Sequence, residues 1–200
     1  MMQQKELTGM RADAGMPAAQ KGPKDFFIAD LHFGDSNIIR YENRPFSSAE
    51  EMDACLIENW NRCVSAQDTV YVLGDFSAFG SSEKDREILR RLQGIKILIM
   101  GNHDSHYTAE EWRSLGFAEC SRWPILYQNF FLLSHEPLYI NANMPYANIY
   151  GHVHNNASYK DASQQSVCIS AERIGYRPIE FAEIRARMRE AAENTKEQGR

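Results

Sequence analysis

The run Ile97-Leu-Ile-Met-Gly-Asn-His-Asp104, in which a short apolar stretch stops at Gly101-Asn102-His103-Asp104, limits the possible folds more than any other feature of the chain. A buried parallel strand that runs into a tight turn reads this way. Ligands in open α/β sheets gather at the carboxyl ends of strands, so chemistry is expected at Asn102 to Asp104. The form recurs twice upstream: Phe26-Phe-Ile-Ala29 ends in Asp30-Leu31-His32, and Thr69-Val-Tyr-Val-Leu73 ends in Gly74-Asp75.

The segments between these runs have helical spacing. Ser48 and Glu51 precede Met52, Leu56, Trp60 and Cys63, which predicts a capped helix down to about Val64. Ser82 and Asp85 start a second, with Ile88, Leu89 and Leu92 on its inner face and Gly94 after its end. Strand, helix, strand, helix, strand predicts parallel pairing, with the polar groups converging on one rim. Thr108 and Glu111 cap a third helix that Gly116 closes. From Phe117 the pattern changes to short, closely spaced strands at 117–122, 125–134, 147–150 and 166–170, as in antiparallel or mixed sheets. Two sheets face to face with helices outside are expected. Residues 1–24 lack periodicity and read as a flexible tail, 25–192 as a single domain whose last helix opens at Pro178 and Glu180, and 193–200 as a frayed end.

Composition narrows the function. With 22 Lys and Arg against 27 Asp and Glu, the net charge of -5 disfavours nucleic acid as a partner. It leaves small phosphorylated substrates open, because a bound dication supplies its own local positive charge. The four cysteines, Cys55, Cys63, Cys120 and Cys168, stand far apart without a CxxC pair, which fits a reducing cytosol. Neither a secretory apolar core nor a run of membrane-spanning length is present in the sequence, so a cytoplasmic protein without a membrane partner is expected.

The six histidines decide the chemistry: His32, His103, His135, His152 and His154 all stand at the ends of predicted strands, and only His106 lies outside the pattern. Alternate residues on an extended segment point the same way, so Asp30 with His32, and His152 with His154, can each aim two donors into one space. With Asp75, Asn102 and His135 the donors number seven. That exceeds one tetrahedral zinc and suits two metals sharing a carboxylate, for which Asp75 on the middle segment is the candidate.

The series Asp30-Leu-His32, Gly74-Asp75, Gly101-Asn102-His103-Asp104, His135 and Gly151-His152-Val-His154 resembles the calcineurin-like metallophosphoesterases over most of residues 26–170. The resemblance implies an α/β fold, a four-layer α/β/β/α sandwich of two mixed sheets flanked by helices. It assigns Asp30, His32 and His154 to one divalent ion and Asn102, His135 and His152 to the other, with Asp75 between them. His103 resembles the histidine that faces the substrate phosphate, and Asp104 would bond to its ring and fix it. Mixed carboxylate, carboxamide and imidazole ligands suit Mn, Fe, Zn, Co or Ni.

The expected activity is hydrolysis of a phosphoester, a phosphodiester ahead of a monoester, by direct attack of metal-bridging hydroxide. Arg40 and Arg44, in the segment after the first motif, are candidates to grip a substrate phosphate, with Asn102 beside them; the alternative is a loop packed through Tyr41 and Phe46 with both arginines in solvent. Phe76-Ser-Ala-Phe-Gly80 follows Asp75 where the serine/threonine protein phosphatases carry Val-Asp-Arg-Gly, so that substrate class loses weight. The other readings are a nuclease, a catalytically silent binding module that keeps the fold, and an amidohydrolase. The late HxH and short chain speak against the last.

Overall fold

The structure, a computed structural model, describes residues 22–198. Its elements in chain order are β1 (Asp25–Ile28), α1 (Ser36–Tyr41), α2 (Ala49–Cys63), β2 (Thr69–Leu73), α3 (Ser82–Arg91), β3 (Ile95–Ile99), α4 (Ala109–Leu115) and β4 (Glu119–Ser121). There follow β5 (Ile125–Tyr127), β6 (Phe131–Leu133), β7 (Ala147–Tyr150), β8 (Ser166–Cys168), β9 (Ile179–Glu180) and α5 (Phe181–Gln198). Short 3₁₀ turns occupy His103–His106 and Ala171–Ile174.

The first sheet has the order β4-β3-β2-β1-β9, with the first four strands parallel and β9 antiparallel to β1. The second has the order β5-β6-β7-β8 and is also mixed, β5 alone pairing antiparallel. Two mixed sheets with flanking helices are what the strand pattern predicted. They meet where Ala29, just past β1, bridges to Ser170, just past β8; the Ala29 N–H donates to Ile169 O at 3.1 Å and the Ala171 N–H to Ala29 O at 3.0 Å. The carboxyl ends of β1 and β8 are thereby tied at one point, beside the residues that carry the chemistry.

Aromatic side chains fill the space between the sheets. Phe27 stacks on Tyr71 at 5.1 Å, and Tyr127 and Phe131 of the second sheet meet Phe181 at 5.0 Å. Such packing contributes roughly 0.5–1.5 kcal/mol per pair beyond area burial. α2 buries Met52, Leu56 and Trp60 of the expected stripe, with Ile57 added and Cys63 half-buried, and the Trp60 indole N–H donates to Gln93 O at 2.9 Å. At α4 the capping box forms in full, with Thr108 and Glu111 bonding reciprocally.

Two expectations change. The segment after the first motif holds a helix, α1, rather than only a loop: Asp35 caps it by accepting the N–H groups of Asn37 and Ile38. The last helix starts at Phe181, after β9, and continues to Gln198, so 193–198 are helical rather than frayed, and 199–200 lie outside the described residues; its Ile184 and Met188 are buried and give the helix a formed nucleus from which to propagate. Most of the predicted N-terminal tail, residues 1–21, lies outside the described residues.

α2 also fixes the first motif directly, since the Asp53 carboxylate accepts the Gly34 N–H at 3.0 Å. Burial pushes the Asp53 carboxyl up to about 6, against the pull of that N–H. A folded-state pKa above the unfolded value means that the native state holds the extra proton, so Asp53 detracts from stability increasingly as pH rises from about 4 to 6. Asp53→Asn, which keeps the acceptor oxygen, is expected to match wild type in urea denaturation near pH 4 and to exceed it above pH 7. Equal stabilities at pH 7.5 would contradict the assignment.

Candidate metal centre

Turns at the strand ends aim the polar side chains into one space. Asp30, His32, Asp75, His152 and His154 all have positive φ, between 43° and 70°. Non-glycine residues are uncommon there, and such strain persists only where the surrounding structure over-determines it. The adjoining glycines leave room: a Cβ on Gly74 would strike the His135 ring, and one on Gly151 would strike Ala29 and the Asp30 carboxylate. Gly-Asp and Gly-His at these ends thus have a steric reason.

Backbone bonds hold the turns in register. Asp30 N–H donates to Gly74 O at 3.0 Å and His32 N–H to Asp75 O at 2.9 Å, while the His152 N–H meets both oxygens of Asp30 at 3.0 and 2.9 Å. Asp30, His32, Asp75 and His154 each offer a ligand atom within 4.8 Å of the others, and Asp75, His135 and His152 form a second such group. Asn102 joins the latter, its Oδ1 lying 2.9 Å from His135 Nε2 and 3.2 Å from His152 Nδ1. Asp75 belongs to both groups: its Oδ2 stands 3.5 Å from His32 Nε2 and 3.4 Å from His135 Nε2.

The donor set fits divalent cations on an observation independent of motif. Both ring nitrogens of His32 are buried without a hydrogen-bond partner, its contacts to Asp35 and Asp75 being 3.5 Å long. A buried polar atom left unpaired costs roughly 1–3 kcal/mol, which a bound ion removes. His135 points the other way: its Nδ1 lies 2.9 Å from Leu73 O, which assigns the proton to Nδ1 and leaves the Nε2 lone pair facing the site.

Charge balance has the same sense. Burial raises the Asp30 carboxyl, opposed by His154 and His135. Burial also opposes charge on His32, yet Asp35, Asp75 and Asp30 together lift its imidazole to about 9. Asp75, with burial against it, is held at about 2 by His32 and His135. The carboxylates thus draw positive charge onto His32, charge that a metal ion would supply in its place.

His103 is exposed at the mouth, its ring edge-on to His32 at 5.0 Å between centroids. Its backbone N–H donates to Asp75 Oδ1 at 2.9 Å. Asp104 does not bond to the His103 ring as expected. Its buried carboxylate accepts the N–H groups of Gly101 and Asp75 at 2.8 Å and of Phe76 at 2.9 Å, and so ties the end of β2 to the turn after β3. Arg44 departs from expectation further. Only 4% exposed, it donates to Asp30 O at 2.7 Å and Leu31 O at 3.0 Å and pairs with Glu172 at 2.6 Å, so it cannot reach a substrate phosphate. Arg40, at the end of α1, is exposed. Phe46 packs on Tyr176 at 5.1 Å, whereas Tyr41 is 67% exposed. Sequence reasoning missed Asp35 and Glu172. Asp35 had a signal, standing three residues after His32 as a helix cap; Glu172 had none.

A family model for the calcineurin-like phosphoesterases matches residues 26–191. The chain belongs to that family. It is 37% identical over 162 residues to the uncharacterized protein MJ1445 of Methanocaldococcus jannaschii, covering 78% of this chain and 86% of that one. It is 38% identical over 82 residues to the gene 66 protein of Mycobacterium phage L5, covering 40% of this chain and 39% of the phage protein. Among solved structures it resembles a protein of unknown function, AQ665, from Aquifex aeolicus, with 28% identity, a TM-score of 0.62, and coverage of 82% of this chain and 99% of that chain. This member of the family thus carries a potential metal-binding site at the rim shared by its sheets. Among the described residues no helix is long and apolar enough to cross a membrane.

Asp104 supplies a direct test of how the rim is held. Asp104→Ala strands three backbone N–H groups, two of them in the turn that carries Asp75, and is expected to lower stability by about 3 kcal/mol or more in urea denaturation. A loss below about 1 kcal/mol would show that those N–H groups find other partners.

Proposed function

We propose that this phosphoesterase hydrolyses a phosphate diester in preference to a monoester, with two divalent cations held by Asp30, His32 and His154 on one side and Asn102, His135 and His152 on the other, and Asp75 shared. The observation that carries the reading is the place of Asp75 Oδ2, within 3.5 Å of a ring nitrogen from each donor group. A carboxylate oxygen so placed can serve both ions. Bound together, two such ions neutralise phosphate oxygens and make an activated water available at neutral pH.

The protein's own residues do the rest. His103 projects from the mouth above His32, where its ring can bind a phosphate oxygen or give a proton to the departing alkoxide. The bond from its backbone N–H to Asp75 sets the distance of the residue from the shared carboxylate. Asn102, His103 and His152 form an exposed edge, which leaves room for substituents on both sides of a phosphate and favours a diester. Small phosphorylated compounds fit this mouth better than nucleic acid, given the net charge of -5. A reducing, cytoplasmic setting fits the four free cysteines, Cys55, Cys63, Cys120 and Cys168.

Purified protein supplied with Mn²⁺ is expected to turn over bis(p-nitrophenyl) phosphate faster than p-nitrophenyl phosphate and to stop with chelator. His103→Ala is expected to lose roughly 10²–10⁴-fold in kcat with metal content unchanged. Failure of the metal-loaded protein to hydrolyse either ester would end the proposal, and a faster monoester would reverse the preference.

Arg40 is the remaining candidate to grip an anionic substrate. Arg40→Ala is expected to raise KM about tenfold with kcat and metal content retained, the size of one charge-assisted hydrogen bond. Unchanged KM would remove Arg40 from the site.

A further inference from the structure

Glu172 stands in the 3₁₀ turn after β8, outside every motif, and its side chain is 2% exposed. One oxygen, Oε1, takes all its polar contacts: His154 Nδ1 at 3.1 Å, Arg44 Nη2 at 2.6 Å and Arg44 Nε at 2.8 Å. Arg44 reaches onward to the carbonyl oxygens of Asp30 and Leu31. A chain of contacts therefore runs from His154 through Glu172 and Arg44 to the peptide that carries Asp30 and His32.

We propose that Glu172 and Arg44 are positioning residues for the first donor group: Glu172 accepts the Nδ1 proton of His154, which leaves Nε2 for the cation, and Arg44 locks Glu172 to the backbone on either side of Leu31. The inference rests on the two-cation reading given above. Histidine ligands commonly donate their second N–H to a carboxylate, which fixes tautomer and ring orientation and raises ligand basicity. Here the carboxylate is in turn held by a buried guanidinium whose fork also fixes two carbonyls. One device thus ties His154 to the backbone that carries Asp30 and His32, the other ligands of the first donor group.

Glu42, His154 and Glu172 also offer ligand atoms within 4.8 Å of one another. Arg44 argues against a cation there. It already gives Glu172 a buried positive charge; Glu172 Oε2 is left buried without a partner, and the number of ions that wild type binds decides whether anything meets it.

Glu172→Gln keeps the shape of the side chain and removes its charge. Metal-free wild type and variant are titrated with Mn²⁺ and bound metal is measured by equilibrium dialysis. Two ions are expected in wild type. In the variant the affinity for one ion falls about 10- to 100-fold while the other stays within about twofold, because Asn102, His135 and His152 do not bond to Glu172. A merely structural role would weaken both ions or neither, and either result overturns the proposal, as would a third ion in wild type that the variant loses.

Zinc-loaded wild type with ¹⁵N-labelled histidine gives a second readout that needs no variant. His154 is expected to carry its proton on Nδ1 and the metal on Nε2, and the reverse assignment would refute the arrangement. If wild type binds no ion at all, the two-cation reading itself fails and this inference with it. Two ions bound with affinities that Glu172→Gln leaves unchanged sink the positioning role alone.

Discussion

Three carboxylates, those of Asp30, Asp75 and Asp104, are buried at one rim of the molecule, and the rest of the structure is arranged around making that tolerable. Burying a charge without a partner is costly, and like charges at close range add to the cost. Each carboxylate is answered differently. Asp104 takes three backbone N–H groups, Asp30 takes the His152 N–H, and Asp75 takes the His103 N–H and the nearby imidazoles. The donors come from the segments after β1, β2, β3, β6 and β7, so the polar accounting at the rim also holds the strand ends together.

The same accounting explains the backbone. Regular extended ends would set Asp30 with His32, and His152 with His154, each pair on one face of its own sheet. Left-handed turns at these residues re-aim them. The parallel order of β1, β2 and β3 and the Ala29–Ser170 bridge supply the rigid frame against which that strain is held.

Much of this was legible in the chain. Apolar runs that stop at Asp-Leu-His, Gly-Asp and Gly-Asn-His-Asp gave the parallel strands and their common rim, because a buried strand must be apolar until it reaches solvent or a site. Helix α4 was legible to its caps, since Thr108, Glu111 and Gly116 satisfy terminal groups locally. Helix α1 was not: six residues carry too short a period to register, and its cap Asp35 also faces His32. β9 was hidden for a similar reason, having two residues and only the edge of β1 as partner.

What the sequence by itself determined is the inventory and its order: which side chains can bind cations, that they stand at strand ends, and that glycines precede three of them. Those are local properties, written in spacing and residue type. What only the tertiary structure decided is which polar group answers which. Asp104 looked like the partner of its neighbour His103 and turned out to bind the backbone of another strand's turn. Arg44 looked free for substrate and proved to be buried against Glu172, 128 positions away. A buried charge takes whatever partner the packed chain brings within 3 Å, and that distance is unrelated to separation along the sequence.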